Sequence, residues 1–486
     1  MAVDPGLSLH LYCRVVDNFG DAGVSWRLAR QLAAEHGLRV TLWIDRPEVL
    51  RQLAPRAMGG HASDATAEGS DNRGGNDAPA AVTVRPWSDD AADGPPDPDI
   101  VVCAFGCEPP PGLRARLAGA PARPLWINLE YLSAETWVDG CHGLTAIKPA
   151  DGAREHFFFP GFRPSTGGLL REGDLLARRD AFRNGDDAAR WWRKMGLPAL
   201  PGRRVSVFCY PDAPLLPLLR RIAGGPAPTL VIVPRGVAEA ALSAFLAEWA
   251  AASRGQTAVH AAMSAADAAS RIDAASPIDS APAADVGDGV CSRHGQLVLA
   301  RPAWLDIDDY DRLLWSCDLN LVRGEDSWIR ALWAGRPMIW QPYRQADGAH
   351  RAKLEAFLAW RRQPDWAAAD GPIEAFSRAW TDGAHPAPAV PVAALPVAAA
   401  SASAASAGAA SAGARTAGAG AAGAGAGDPA PANPRAADGS FDLDAAWSAL
   451  DAAWPTLETA AAALASQTAR APDLATQLVS YCRSRL

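Results

Sequence analysis

The chain begins an alternation of strand-like and helix-like segments twice, and that repetition limits the folds open to it. Leu7, Leu9, Leu11, Cys13 and Val15 fall at period two, the spacing of one face of a strand. Val24, Leu28 and Leu32 follow at helical spacing, and Gly37 stands where that helix would end. Short apolar segments at 39–44, 100–105 and 125–129 supply further strands. The pattern then restarts, with strands expected at 205–210, 229–234, 296–300, 319–322 and 337–340, and helices over 309–316, 327–334 and 349–360. Such alternation predicts parallel sheets covered by helices. We therefore expect an α/β protein with two doubly wound domains, over residues 1–180 and 195–380, and a last helix over 473–486 that joins the first. In sheets of this kind ligands bind beyond the carboxyl ends of the strands, so the loops that follow strands are where chemistry is expected.

Three stretches interrupt the pattern, at 59–81, 261–289 and 386–438. They are built from Ala, Gly, Ser, Asp and Pro, too poor in large apolar side chains to form a core, and are expected to be mobile insertions. The 486 residues suit two domains with such additions. A net charge of −8 argues against general nucleic-acid binding, which needs a basic surface. No run of eighteen apolar residues appears, which argues against a membrane span, and Met1–Ser8 lacks the features of a signal peptide. The eight cysteines are scattered. Cys103 and Cys107 have no second pair or histidine at ligand spacing, so no zinc site is expected. Reduced thiols without an export signal point to the cytoplasm.

Two loops stand out. The first is Asp17-Asn18-Phe19-Gly20-Asp21-Ala22-Gly23, between the first strand and its helix. Gly20 and Gly23 permit a tight turn and close backbone approach, but do not complete a dinucleotide fingerprint. Two carboxylates would repel a pyrophosphate and suit a cationic or hydroxyl-bearing group. Two readings stay open: Asp21 caps the helix and Asp17 makes an Asx-turn, or the pair receives a nucleophile and removes its proton.

The second is Arg323-Gly324-Glu325-Asp326-Ser327, which follows a strand and opens a helix. Asp326 and Ser327 suit a helix start, whose free N–H groups attract a diphosphate, with Arg323 adding charge. Glu325 is placed to hold sugar or ribose hydroxyls. Plain capping with a surface ion pair is the competing reading. Gly335 to Tyr343 then gives a glycine stop, a short buried strand and an aromatic loop, which resembles the nucleotide-sugar half of GT-B enzymes. Phe208, Tyr210 and Trp304 lie near strand ends and offer flat faces to a base, although core packing would use them equally well. Trp191 and Trp192 are assigned to packing between domains. Outside that reading, Asp45 at the end of the second strand would serve an NAD-dependent oxidoreductase as its ribose acid; a nucleotide-sugar-binding module without activity is the other alternative.

Longer blocks carry a family resemblance. Arg14 to Arg30, Trp126 to Glu135, Phe158 to Phe162 with Thr166 to Leu169, Tyr310 to Asp318, Arg323 to Ser327, and Tyr481 to Leu486 together resemble the protein-arginine rhamnosyltransferases, the EarP family. The resemblance implies a GT-B fold, a dTDP-β-L-rhamnose donor and transfer with inversion to an arginine of elongation factor P, without metal or cofactor. It implies catalytic roles for Asp17, Asp21 and Glu325. It places Asn18, Phe19, Gly20, Phe208, Tyr210, Trp304, Arg323, Asp326, Ser327 and Tyr343 around the donor. This chain has Trp304 and Ile307 where the family often has Phe and Gln, which changes the expected contacts to the base.

Overall fold

The computed structural model describes residues 6–17, 19–55, 82–87, 97–120, 123–149, 151–268, 291–383 and 442–486, with the backbone alone over 255–268. The expected insertions at 59–81 and 386–438, and the candidate donor residue Asn18, lie outside the described residues.

The first half runs β1 (Ser8–Cys13), α1 (Phe19–His36), β2 (Arg39–Ile44), α2 (Pro47–Leu53), β3 (Thr83–Pro86), β4 (Ile100–Ala104), α3 (Pro111–Ala118), β5 (Leu125–Leu129), β6 (Thr145–Ile147) and β7 (Arg154–Phe158). Its sheet has the order β3-β2-β1-β4-β5-β7-β6, parallel except for β6. Residues 9, 11 and 13 of β1 are buried on one face and pack with Leu28 and Leu32 of α1, as their spacings require. The order reverses between β1 and β4, which opens a crevice beyond Cys13, where the Asp17–Asp21 loop begins.

Two helices, α4 (Leu175–Asn184) and α5 (Asp187–Lys194), lead to the second half. There follow β8 (Arg203–Val207), α6 (Leu215–Ala223), β9 (Thr229–Ile232), α7 (Glu239–Ala268), β10 (Cys291–His294), β11 (Leu297–Ala300), α8 (Ile307–Ser316), β12 (Leu319–Arg323), α9 (Asp326–Ala334), β13 (Met338–Gln341), α10 (Ala349–Arg361) and α11 (Ala367–Asp382). The sheet order is β10-β11-β9-β8-β12-β13, with its own reversal at β8 and β12. The chain closes with α12 (Leu443–Ala452), α13 (Trp454–Thr468) and α14 (Leu474–Arg483). Helices α12 and α13 join the second core, whereas α14 returns to the first, burying Leu474, Leu478 and Cys482 beside α1.

Some expected boundaries shift. The strand expected to reach residue 210 ends at Val207, because its pairing with β12 stops at Leu321. Phe208 makes one last bond to the Leu321 carbonyl and Tyr210 N–H turns to the Gln341 side chain, so both aromatics sit in a loop. The insertion expected from 261 begins inside a helix, since α7 runs to Ala268; 269–289 lies outside the described residues. Trp191 and Trp192 pack in the larger core cluster, which also takes in Leu132, Ala134 and Leu169 of the first half, and the Trp191 indole donates to Asp309 of α8.

Candidate active site

The loop after β1 is shaped by two carboxylates. Val15 N–H donates to Asp45 at 2.9 Å. Asp45 therefore ties down the loop, a role different from the ribose contact that an oxidoreductase would require. Asp21, in the first turn of α1, turns back and accepts from Val16 N–H at 2.7 Å and Asp17 N–H at 2.8 Å, both on Oδ2. Its carboxylate thus organises the loop before the helix, although the helix starts earlier, at Phe19. Asp21 is 3% exposed, and burial pushes its carboxyl up to about 6 despite the two N–H donors.

Among the described residues Asp17 makes no Asx-turn; it reaches across to the other lobe. Its Oδ2 accepts the Tyr210 phenol at 3.0 Å, and the Arg323 guanidinium lies 3.9 Å from Oδ1. Burial raises its carboxyl, with Arg323 and Tyr210 opposing. Glycine fits closely on both sides of this carboxylate, and at Gly324 the backbone requires it. A Cβ at Gly20 would come within 3.1 Å of Asp17 Oδ2, and one at Gly324, where φ is +63°, within 2.9 Å. The Gly324 carbonyl is held by the Trp340 indole at 3.0 Å, and Trp340 stacks on Trp328 at 3.6 Å.

Glu325 reaches the other way. Its Oε2 accepts from Leu132 N–H of the first lobe at 3.0 Å. Burial holds its carboxyl well above the usual range, and Asp21 and Asp17 push in the same direction. Tyr131, which the motif reading passed over, feels Asp21, Glu325 and Asp17 together and stacks on Phe105 at 4.7 Å. Three acids from two lobes therefore share one electrostatic neighbourhood, suited to a cation.

Asp17, but neither Asp21 nor Glu325, lines a solvent-connected hollow of about 600 Å³, walled further by Phe19 and Gly20 on one lobe and Phe208, Trp304, Tyr310 and Arg323 on the other. Phe19 packs on Trp304 at 4.4 Å, and the Trp304 indole nitrogen is buried without a partner among the described residues. Arg323 stands 4.7 Å from the Phe208 ring and 4.4 Å from that of Tyr210, covering faces expected to meet a base. Tyr210 and Tyr343 do not wall the hollow; Tyr210 caps Asp17, and Tyr343 is 60% exposed, set edge-on to Tyr210. Asp326 and Ser327 do border it. Their side chains are already engaged, Asp326 with Arg27 and Ser327 Oγ with the Arg323 carbonyl, which leaves the backbone of the helix start to meet an anion. Tyr310 was missed because its helical spacing reads as core.

Two Rossmann-type lobes, with acids at one switch point facing an arginine and a helix start at the other, define a glycosyltransferase of the GT-B architecture. The chain belongs to the EarP family: the family model described as Elongation-Factor P (EF-P) rhamnosyltransferase EarP matches residues 9–416. The protein-arginine rhamnosyltransferase of Pseudomonas putida is 42% identical over 373 residues, covering 76% of this chain and 85% of that one. The Pseudomonas aeruginosa enzyme of the same name is 40% identical over 353 residues, covering 72% and 81%. A solved structure described as the structural basis for EarP-mediated arginine glycosylation of translation elongation factor EF-P is 26% identical, with a TM-score of 0.54, covering 99% of this chain and 100% of that one. The protein is thus an enzyme that rhamnosylates arginine, taking a protein acceptor and a nucleotide-sugar donor. No helix among the described residues is long and apolar enough to cross a membrane.

Proposed function

We propose that the enzyme transfers L-rhamnose from dTDP-β-L-rhamnose to an arginine side chain of elongation factor P, with inversion at the anomeric carbon, in the cytoplasm. The observation that carries this reading is Asp17, which lines the hollow and bonds Tyr210 of the other lobe, while Asp21 accepts the Asp17 N–H and Glu325 of the second lobe reaches back to Leu132 of the first. A guanidinium entering there meets Asp17 first, with the more deeply buried Asp21 and Glu325 behind it, and this acidic surrounding attracts and orients it. Asp21 is the proposed base, since a carboxyl lifted to about 6 still accepts a proton near neutral pH. Asp17 orients the nucleophile. Glu325 supports the sugar.

In the proposed step a guanidinium nitrogen gives up a proton to Asp21 and forms a bond to the anomeric carbon. The bond from that carbon to the β-phosphate oxygen breaks on the opposite face, and dTDP leaves with the electron pair. Arg323 and the backbone N–H groups at the start of α9 stabilise the departing charge, so we propose a reaction without a metal. For the base to enter between Phe208 and Trp304, Arg323 has to move off the Phe208 ring toward the phosphates. All eight cysteines are free, which suits a reducing compartment.

Incubation of the purified protein with dTDP-β-L-rhamnose and elongation factor P, followed by intact-mass and fragment analysis, tests the reading. The expected result is a gain of one deoxyhexose on one arginine. No gain, or a gain on another residue type, overturns it.

A further inference from the structure

Helices α1 and α9 touch near their first turns, one from each lobe. A Cβ at Gly23 would lie 3.1 to 3.3 Å from atoms of the Asp326 side chain, so glycine lets the α1 backbone rest on it. One turn later, Arg27 leaves its own lobe. Its side chain is 2% exposed. The guanidinium donates to both oxygens of Asp311 in α8, at 3.0 and 2.9 Å, and to the Ile307 carbonyl at 3.3 Å. Arg27 Nε also stands 2.8 Å from Asp326 Oδ1, a charge contact whose N–H is not aligned for a hydrogen bond. From the far side Arg330 of α9 grips the same Asp311 carboxylate and Glu172.

Two cations and three acids buried between lobes are costly to desolvate, and apolar side chains would fill the space at less cost. What such a fork supplies is a fixed geometry. The placement is specific: Arg27 belongs to the helix that follows the Asp17–Asp21 loop, and Asp326 is bonded in sequence to Glu325. We propose that Gly23 and Arg27 are positioning residues, whose contacts with Asp326 and Asp311 set the spacing between the first-lobe aspartates and Glu325. The lobes then pivot about this point, and the distance between the acids stays constant while the outer cleft opens. This inference rests on the reading that the acids act together across the cleft.

Two measurements test it. Gly23 lies inside a helix at an ordinary φ, where alanine is the better helix former, and this offsets the tight contact with Asp326, so Gly23→Ala is expected to fold with a Tm close to that of the wild type. Its methyl group presses on Asp326, displaces the acids by a few tenths of an ångström, and should lower kcat about tenfold with the donor KM within about twofold. Wild-type kcat in Gly23→Ala, or a parallel loss of kcat and donor affinity, overturns the proposal. In differential scanning calorimetry the wild-type chain should unfold in one transition, and Arg27→Met should split it into two as the lobes uncouple. A single transition retained in Arg27→Met also overturns it. Were the wild-type protein to transfer no sugar, the functional reading would fall, while calorimetry would still decide whether Arg27 couples the lobes.

Discussion

The phenol of Tyr210 donates to Oδ2 of Asp17 at 3.0 Å, joining the loop after β8 to the loop after β1 across the cleft. The bond favours the ionised form of Asp17, against the effect of burial. Tyr210→Phe keeps the ring and removes the donor. A hydrogen bond to a charged group contributes about 1.5–3 kcal/mol, so kcat/KM for transfer should fall roughly tenfold or more, with little change in Tm. Steady-state transfer kinetics checks this, and an unaltered kcat/KM would remove Tyr210 from the account of Asp17.

Asp21→Asn can still accept the Val16 and Asp17 N–H groups through its amide oxygen, so the loop should keep its shape. Loss of the proposed base should reduce kcat by about 10²–10⁴-fold. Calorimetric titration with dTDP should give a wild-type Kd. Full turnover in this variant would exclude Asp21 as the base.

The raised carboxyl of Asp21 gives a signed pH dependence. At pH 5 the group holds its proton and cannot accept another; above about 6 it is ionised. Transfer at low substrate concentration should therefore rise with pH through about 6, and Asp21→Asn should lose that inflection. For stability the sign is opposite. The folded state keeps this proton at pH values where the unfolded chain, near 3.8, has released it. The contribution from Asp21 is present below about 4 and is lost as pH rises through about 6. Urea midpoints of wild type and Asp21→Asn, compared from pH 4 to 7, measure the difference.

Asp311 accepts hydrogen bonds from two buried guanidinium groups, and burial alone would raise its carboxyl; Arg27 and Arg330 hold it below the usual range instead. Asp311→Ala leaves both cations with weaker compensation. The expected cost is about 3–5 kcal/mol, seen as a shifted urea midpoint. A change under about 1 kcal/mol would mean that Glu172 and Asp326 compensate the pair without Asp311.

Legibility differed by element. The strands at 39–44 and 125–129 matched to the residue, because large apolar side chains dominate each short segment, Val40, Leu42, Trp43 and Ile44 in one and Leu125, Trp126, Ile127 and Leu129 in the other. Strand β7 was missed: Arg154, Glu155 and His156 interrupt its apolar pattern, and Glu155 is buried with Arg114 and Lys148 as partners. A helix-start motif points Asp326 at a diphosphate; that its side chain faces Arg27 is invisible in such a local pattern.

By itself the sequence determined the two α/β halves and the loops that carry chemistry, since periodicity and loop glycines act over a few neighbouring residues. Only the tertiary structure decided which groups meet. Asp17 with Tyr210 and Glu325 with Leu132 each join residues 193 positions apart, and Arg27 with Asp311 spans 284. Such contacts depend on how two sheets pack and how buried charges find partners, and no local pattern of side chains encodes that.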